Sequence, residues 1–367
     1  RLIEFARNGI QSHGSLLGVR NMVSAVLLHP EAVYRNEHGA GEPDAHGRVM
    51  LSPRELAYAL SYALTDSRPD ATLLRAANEG TLSTREAVRD QVERILGDEK
   101  IDKPRILEFF REYFEYPAAE DVFKDVELFP AHSAQTLVRD TDHLVMYIYD
   151  RDEDVLRNLL TTNLSFVYYD EHNGKPTRGR TFKGTSGHVH LSYSLPPDWK
   201  WTPQQPIELP GEHRAGILTQ PSWLAAKSGN FDNDPIRRGH WIRYKLLGGT
   251  IPDVPITVDA QLPNDETLTL REKMQVTRED YCWKCHRKMD PLGLSFEMFD
   301  HFGRWRTREL GKRPVTTGAI THSPDSTIEG EVDHALELVR RLAGSDHVRQ
   351  VFVRHAFRYW MGRNESA

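Results

Sequence analysis

Over the first 36 residues the apolar positions recur three and four apart. Leu16, Leu17, Val19, Met22, Val23, Val26 and Leu27 share this spacing, so residues 1–36 read as two helices that end near Pro30. Residues 37–51 lose the pattern to Gly, Asp, Glu and His and read as a linker, with His38 and His46 expected as solvated loop histidines. The next start is sharper. Ser52-Pro53-Arg54-Glu55 offers an N-cap, a proline for the first helical position and a glutamate to close a capping box. Leu56, Ala59, Leu60, Ala63 and Leu64 then line one face. A second helix is predicted from Pro69-Asp70, with Leu73 and Leu74 inward and a stop at Gly80. A third begins at Ser83-Thr84-Arg85-Glu86 and carries Val88, Val92, Ile95 and Leu96. A fourth covers 104–116, and its Phe and Tyr residues are expected in the core. Two more fall within 131–160, where His132 and His143 have no partner legible in the sequence.

From 161 to 210 the period changes. Phe166-Val167-Tyr168-Tyr169, Phe182-Lys183-Gly184 and His188-Val189-His190-Leu191 are short β-prone runs between Gly, Pro and Asn, and predict strands or a hairpin. On a strand His188 and His190 would face one side, as half of a metal site or, more commonly, as an exposed polar face. Trp199 and Trp201, with Pro196, Pro197, Pro203 and Pro206, suggest a rigid aromatic loop. Pro252 and Pro255 mark an extended connector. Residues 268–278 read as a helix, with Leu268, Arg271 and Met274 at i, i+3 and i+6. Residues 331–342 and 345–362 complete the chain as two helices, the last with an aromatic face of Phe352, Phe357, Tyr359 and Trp360. The predicted fold class is mainly α: helical bundle-like domains with an irregular, partly β insertion.

Length and charge narrow this further. A chain of 367 residues has room for two or three domains. A net charge of −6 gives no electrostatic case for nucleic acid. No apolar run approaches the length of a membrane span. Arg1 opens directly into the helical Leu2-Ile3-Glu4-Phe5 with no signal peptide, so the chain is expected to be a processed or truncated piece of a longer precursor.

The sharpest chemistry lies in Tyr281-Cys282-Trp283-Lys284-Cys285-His286. Its two cysteines are the only ones in the chain, and a histidine follows the second. This is the C-x-x-C-H pattern of c-type haem attachment. Two thiols on one helical turn can reach the two vinyl groups of a haem, and the adjacent imidazole of His286 becomes an axial ligand. A thioredoxin-like dithiol would need a βαβ setting that the flanks do not provide. A structural zinc site would need further ligands to complete four. Two inert buried thiols are the plainest alternative.

The residues that follow sharpen the reading. Met289-Asp290-Pro291-Leu292-Gly293, Phe296-Glu297-Met298-Phe299-Asp300 and Gly303-Arg304-Trp305-Arg306 succeed the motif. Together they resemble the haem segment of a family of large, multi-domain proteins abundant in planctomycetes and related bacteria. Those proteins join conserved domains of unknown function to cytochrome c segments. Gly216-Ile217-Leu218-Thr219-Gln220, then Asp234-Pro235-Ile236-Arg237-Arg238-Gly239-His240-Trp241 and Leu246-Leu247-Gly248, resemble the same family, with Asp234 in place of its usual Ser. The segment Pro30 to Glu37 resembles the close of one of the family's helical domains, and Met361-Gly362-Arg363 the start of its last. At Thr277 many members carry a histidine, so ligation through that position is not expected here.

The chain is read in six parts: the end of a truncated helical domain (1–36), a linker (37–51), a helical domain (52–160), a mixed loop and β segment with one helix (161–260), a haem c-binding segment (261–310) and a truncated C-terminal helical segment (311–367). The motif leads to the expectation of one covalent haem c held by Cys282, Cys285 and His286, with Trp283 packing on the ring edge and Arg304 and Arg306 as candidates either for the propionates or for plain ion pairs. For the sixth iron position Met274 and Met298 rank level, ahead of His355, Met361 or an open site; His301 lies within reach in chain terms, and Met289 sits too close on the proximal side. Any of these methionines could equally be core filler. The expected function is single-electron transfer in the bacterial cell envelope, periplasmic or extracellular, to redox proteins or other haem domains of the same precursor. The alternatives are a peroxidase-like haem oxidoreductase and a non-catalytic scaffold that is stapled by haem or binds partners through the aromatic loop at 196–206.

Overall fold

The computed structural model describes residues 2–365 except 31–33, 35, 36, 126, 130, 131, 168, 169, 173, 174, 178–188, 197, 200 and 253–261. The fold is mainly α, as the sequence predicts. Strands among the described residues are limited to three two-stranded antiparallel sheets. The chain divides into two compact units, Arg1–Arg105 and Ile106–Ala367.

The first unit is built from helices whose starts are fixed by local chemistry. After α1 (Leu2–His13) and α2 (Ser15–Leu27), α3 spans Pro53–Thr65. Ser52 caps α3 and forms the full capping box with Glu55. Asp70 caps α4 (Ala71–Asn78) and Thr84 caps α5 (Arg85–Gly97), each side chain accepting a backbone N–H of the first turn. Asp70 also receives a two-pronged ion pair from Arg94, at 2.8 and 3.2 Å. Ala57, Leu64, Leu73, Ala77, Leu82 and Ile95 form the small core beneath.

The second unit holds the main core. Here α6 (Pro104–Phe114), α7 (Ala134–Arg151), α8 (Val155–Thr161), α9 (Val189–Tyr193), α10 (Pro221–Ala226) and α11 (Pro235–Trp241) come before the cysteine motif, and α15 (Ala335–Ala343) and α16 (Asp346–Met361) end the chain. Phe109 of α6 meets Phe352, Tyr359 and Trp360 of α16 with ring centroids 5.5, 5.3 and 4.6 Å away, so the α6 aromatics lie in the core as expected and these three rings of α16 pack against it.

The 161–210 stretch differs in detail from its sequence pattern. Its described strands are β1 (Leu164–Ser165), β2 (Asp170–His172), β3 (Lys175–Thr177) and β4 (Ile207–Glu208), with β1 paired to β4 and β2 to β3. Val189, His190 and Leu191, predicted as strand, belong to the short helix α9. Tertiary bonds hold that turn: the buried Tyr193 hydroxyl donates to Asp140 at 2.5 Å, and the Ser192 carbonyl accepts from Arg214 at 2.9 Å. His190 is therefore on a helical turn, not a strand, and His188, Phe182, Lys183 and Gly184 lie outside the described residues. The aromatic loop packs inward, with Trp201 donating to the Val167 carbonyl at 2.7 Å.

Candidate functional site

The helix predicted over 268–278 is two short pieces. Thr269 and Glu272 form a capping box that starts α12 (Leu270–Lys273), and the chain then tightens into a 3₁₀ turn over Met274–Arg278. The cysteine motif follows as α13 (Asp280–His286), which leads through a turn into α14 (Asp290–Gly293). At about 100° per residue, Cys282, Cys285 and His286 fall within roughly 100° of the α13 circumference. All three are half-buried, both thiols are free, and Tyr281 and Lys284 point to solvent.

His286 is oriented by a carboxylate. Its Nδ1 lies 2.8 Å from Asp290 Oδ1, and the Thr277 hydroxyl donates to Asp290 Oδ2 at 2.6 Å. A carboxylate only accepts, so Nδ1 carries the ring proton and Nε2 keeps its lone pair for a metal. Asp290 is 2% and Thr277 6% exposed. Asp290, four residues on in the chain, is thus the partner of the histidine.

The supports of this arrangement come from elsewhere in the second unit. Two glycines bring α11 onto the motif's downstream segment: a Cβ on Gly239 would meet the Met289 carbonyl, and one on Gly293 would meet that of Pro235. After α11 a single π-helical turn, Ile242–Leu246, directs Arg243 back to the motif. The buried guanidinium donates to the carbonyls of Lys288, at 2.9 and 2.7 Å, and of His322, at 3.0 Å, and also to that of Thr321.

A cavity of about 280 Å³ adjoins this site, lined by Met274, Thr277, Arg278, Trp283 and Asp290, and also by Gly318 of β5 (Gly318–Ile320). Arg278 lies over the Trp283 ring at 5.7 Å. Met274 thus shares a cavity with Asp290, the group on the Nδ1 side of His286, and packs in an apolar cluster with Leu270 and Leu294. Met298 is 4% exposed within the main core.

The other candidate residues sit further along. Arg304 is engaged by Asp300 at 2.6 Å and lies 4.4 Å from the Phe129 ring centroid. Arg306 pairs with Glu297 at 2.7 Å and with Glu309 at 3.4 Å. Burial pushes the Glu297 carboxyl up to about 7, opposed by Arg306 and Arg238. His355 stands between Tyr113 and Tyr244, Met361 is exposed, and His132 lies edge-on to Phe302 at 5.3 Å.

These donors fit a haem c. Two free thiols and an imidazole with a directed Nε2 share one helical face. Among the described residues no three His, Cys, Asp or Glu side chains converge as a bare metal would need. Residues 214–309, which include α13 and Asp290, match the family model PSCyt3, a protein of unknown function (DUF1588). Residues 51–171 match PSD4, a protein of unknown function (DUF1592). Both are planctomycete-type cytochrome c domain families without an assigned activity. No curated protein and no solved structure matches the chain. No helix among the described residues is long and apolar enough to cross a membrane.

Proposed function

We propose that this chain is a c-type cytochrome unit that passes single electrons through one covalent haem at Cys282, Cys285 and His286. The observation that carries the reading is the commitment of His286 Nδ1 to Asp290, which leaves Nε2 as the donor on a helix that also presents two free thiols. Each thiol would add its S–H across one vinyl group and become a thioether. Once bound, the haem supplies a one-electron iron couple. The chain's own part is to hold the imidazole ring still, through Asp290, and to keep Trp283 and Arg278 along the site's edge. Attachment of this kind takes place outside the bacterial cytoplasm, which puts the protein in the periplasm or beyond. Its partners are then redox proteins or other haem domains of one precursor. Arg304 and Arg306, the candidates for the propionates, each also pair with a carboxylate of this chain.

A second reading, a haem oxidoreductase with an open sixth position, is favoured by one observation: Met274 and Met298 are both packed in apolar clusters. A reduced-minus-oxidised spectrum separates the two. Sharp α and β bands, low-spin in both states, support electron transfer. A high-spin ferric spectrum that shifts with cyanide supports the oxidoreductase and sinks the first reading.

A further inference from the structure

We infer that Asp290 and Thr277 set the electron affinity of the iron bound at His286, and that this haem is a low-potential one; the inference rests on the haem reading above. A histidine ligand fixed by a neutral backbone carbonyl donates less strongly than one whose N–H faces a carboxylate. Here the acceptor is Asp290 Oδ1, 2.8 Å from His286 Nδ1. Charge drawn toward Nδ1–H raises the basicity of Nε2 and stabilises the more highly charged, ferric iron.

The carboxylate is itself adjusted. Thr277 Oγ1 has one proton and two acceptors in range, Asp290 Oδ2 at 2.6 Å and the Met274 carbonyl at 2.8 Å. The charged oxygen is the stronger acceptor. A bond given to Oδ2 withdraws density from Oδ1, so Thr277 moderates what Asp290 does to the imidazole. All of this is held rigidly, because Asp290 and Thr277 are buried and Gly293 seats α14 against Pro235. Asp290 and Thr277 act through His286 and are positioning residues.

Opposite responses to two substitutions test this. The chain is produced with its haem attached, and midpoint potentials are read by spectroelectrochemical titration. Asp290→Asn keeps the shape and weakens the acceptor, and the potential should rise by at least a tenfold change in the ferrous-to-ferric ratio, about 59 mV for one electron. Thr277→Val frees Oδ2, and the potential should fall, while Thr277→Ser keeps the wild-type value. A side chain that merely caps a turn moves neither potential. Values within error of wild type for Asp290→Asn, or shifts of the same sign in both variants, overturn the inference. Should Asp290→Asn fail to load haem, the Thr277→Val and Thr277→Ser pair decides alone: no fall in the valine variant overturns it. A wild-type chain that takes up no haem contradicts the functional reading instead.

Discussion

The carbonyl oxygen of Met289 occupies the space a side chain on Gly239 would need, 1.9 Å from where its Cβ would stand. Gly293 repeats the relationship in reverse, with the Pro235 carbonyl 1.8 Å from its would-be Cβ. Backbone therefore lies directly on backbone where α11 crosses the segment holding Asp290. Because a rigid backbone cannot step aside, Gly239→Ala should destabilise the fold by about 3 kcal/mol, at the upper end of overpacking. Denaturant midpoints would check this, and an unchanged midpoint would refute the close approach.

Arg243 is a second fastening of the same region. Its guanidinium satisfies the carbonyl of Lys288, in the turn after the motif, and those of Thr321 and His322. Arg243→Met keeps the apolar stem and strands those acceptors, at about 2–4 kcal/mol for more than one buried group left unpaired. Urea unfolding followed by circular dichroism would measure it. A loss below 1 kcal/mol would mean that water replaces the guanidinium without penalty.

His301 gives the fold an acid limit. Burial pushes its imidazole from an ordinary 6.5 down to about 4, with Lys124 and Arg304 adding to the effect and Asp300 and Asp232 opposing it. Its Nε2 is buried without a hydrogen-bond partner, so a proton there gains nothing local. A value lowered in the folded state means that the contribution is present above about 6.5 and is lost as the pH falls through about 4. Stability should therefore decline over that window more steeply in the wild type than in His301→Gln. Parallel curves for the two proteins would remove His301 from the account.

Local chemistry was legible in the sequence and tertiary chemistry was not. Ser52 with Glu55, Asp70 and Thr84 begin their helices where side chain and backbone lie within three residues of one another, so reading the chain suffices. The aromatics of α6 fall in the core because their spacing alone marks a buried face. Val189, His190 and Leu191 read as strand from their alternation, yet belong to a helical turn whose Tyr193 and Ser192 bond Asp140 and Arg214, 53 and 22 residues away. Asp290 follows His286 by four residues, a spacing at which helical side chains meet, yet the sequence reading did not pair them. Its second partner, Thr277, lies 13 residues back, and only the folded turn joins them.

The most direct test is the mass of the peptide carrying Cys282 and Cys285, taken from chain produced in a bacterial envelope equipped for covalent haem attachment. The account predicts that this peptide carries one haem and that the mass is lost when both cysteines become alanine. Free thiols, a disulfide or bound zinc on these two cysteines would contradict it.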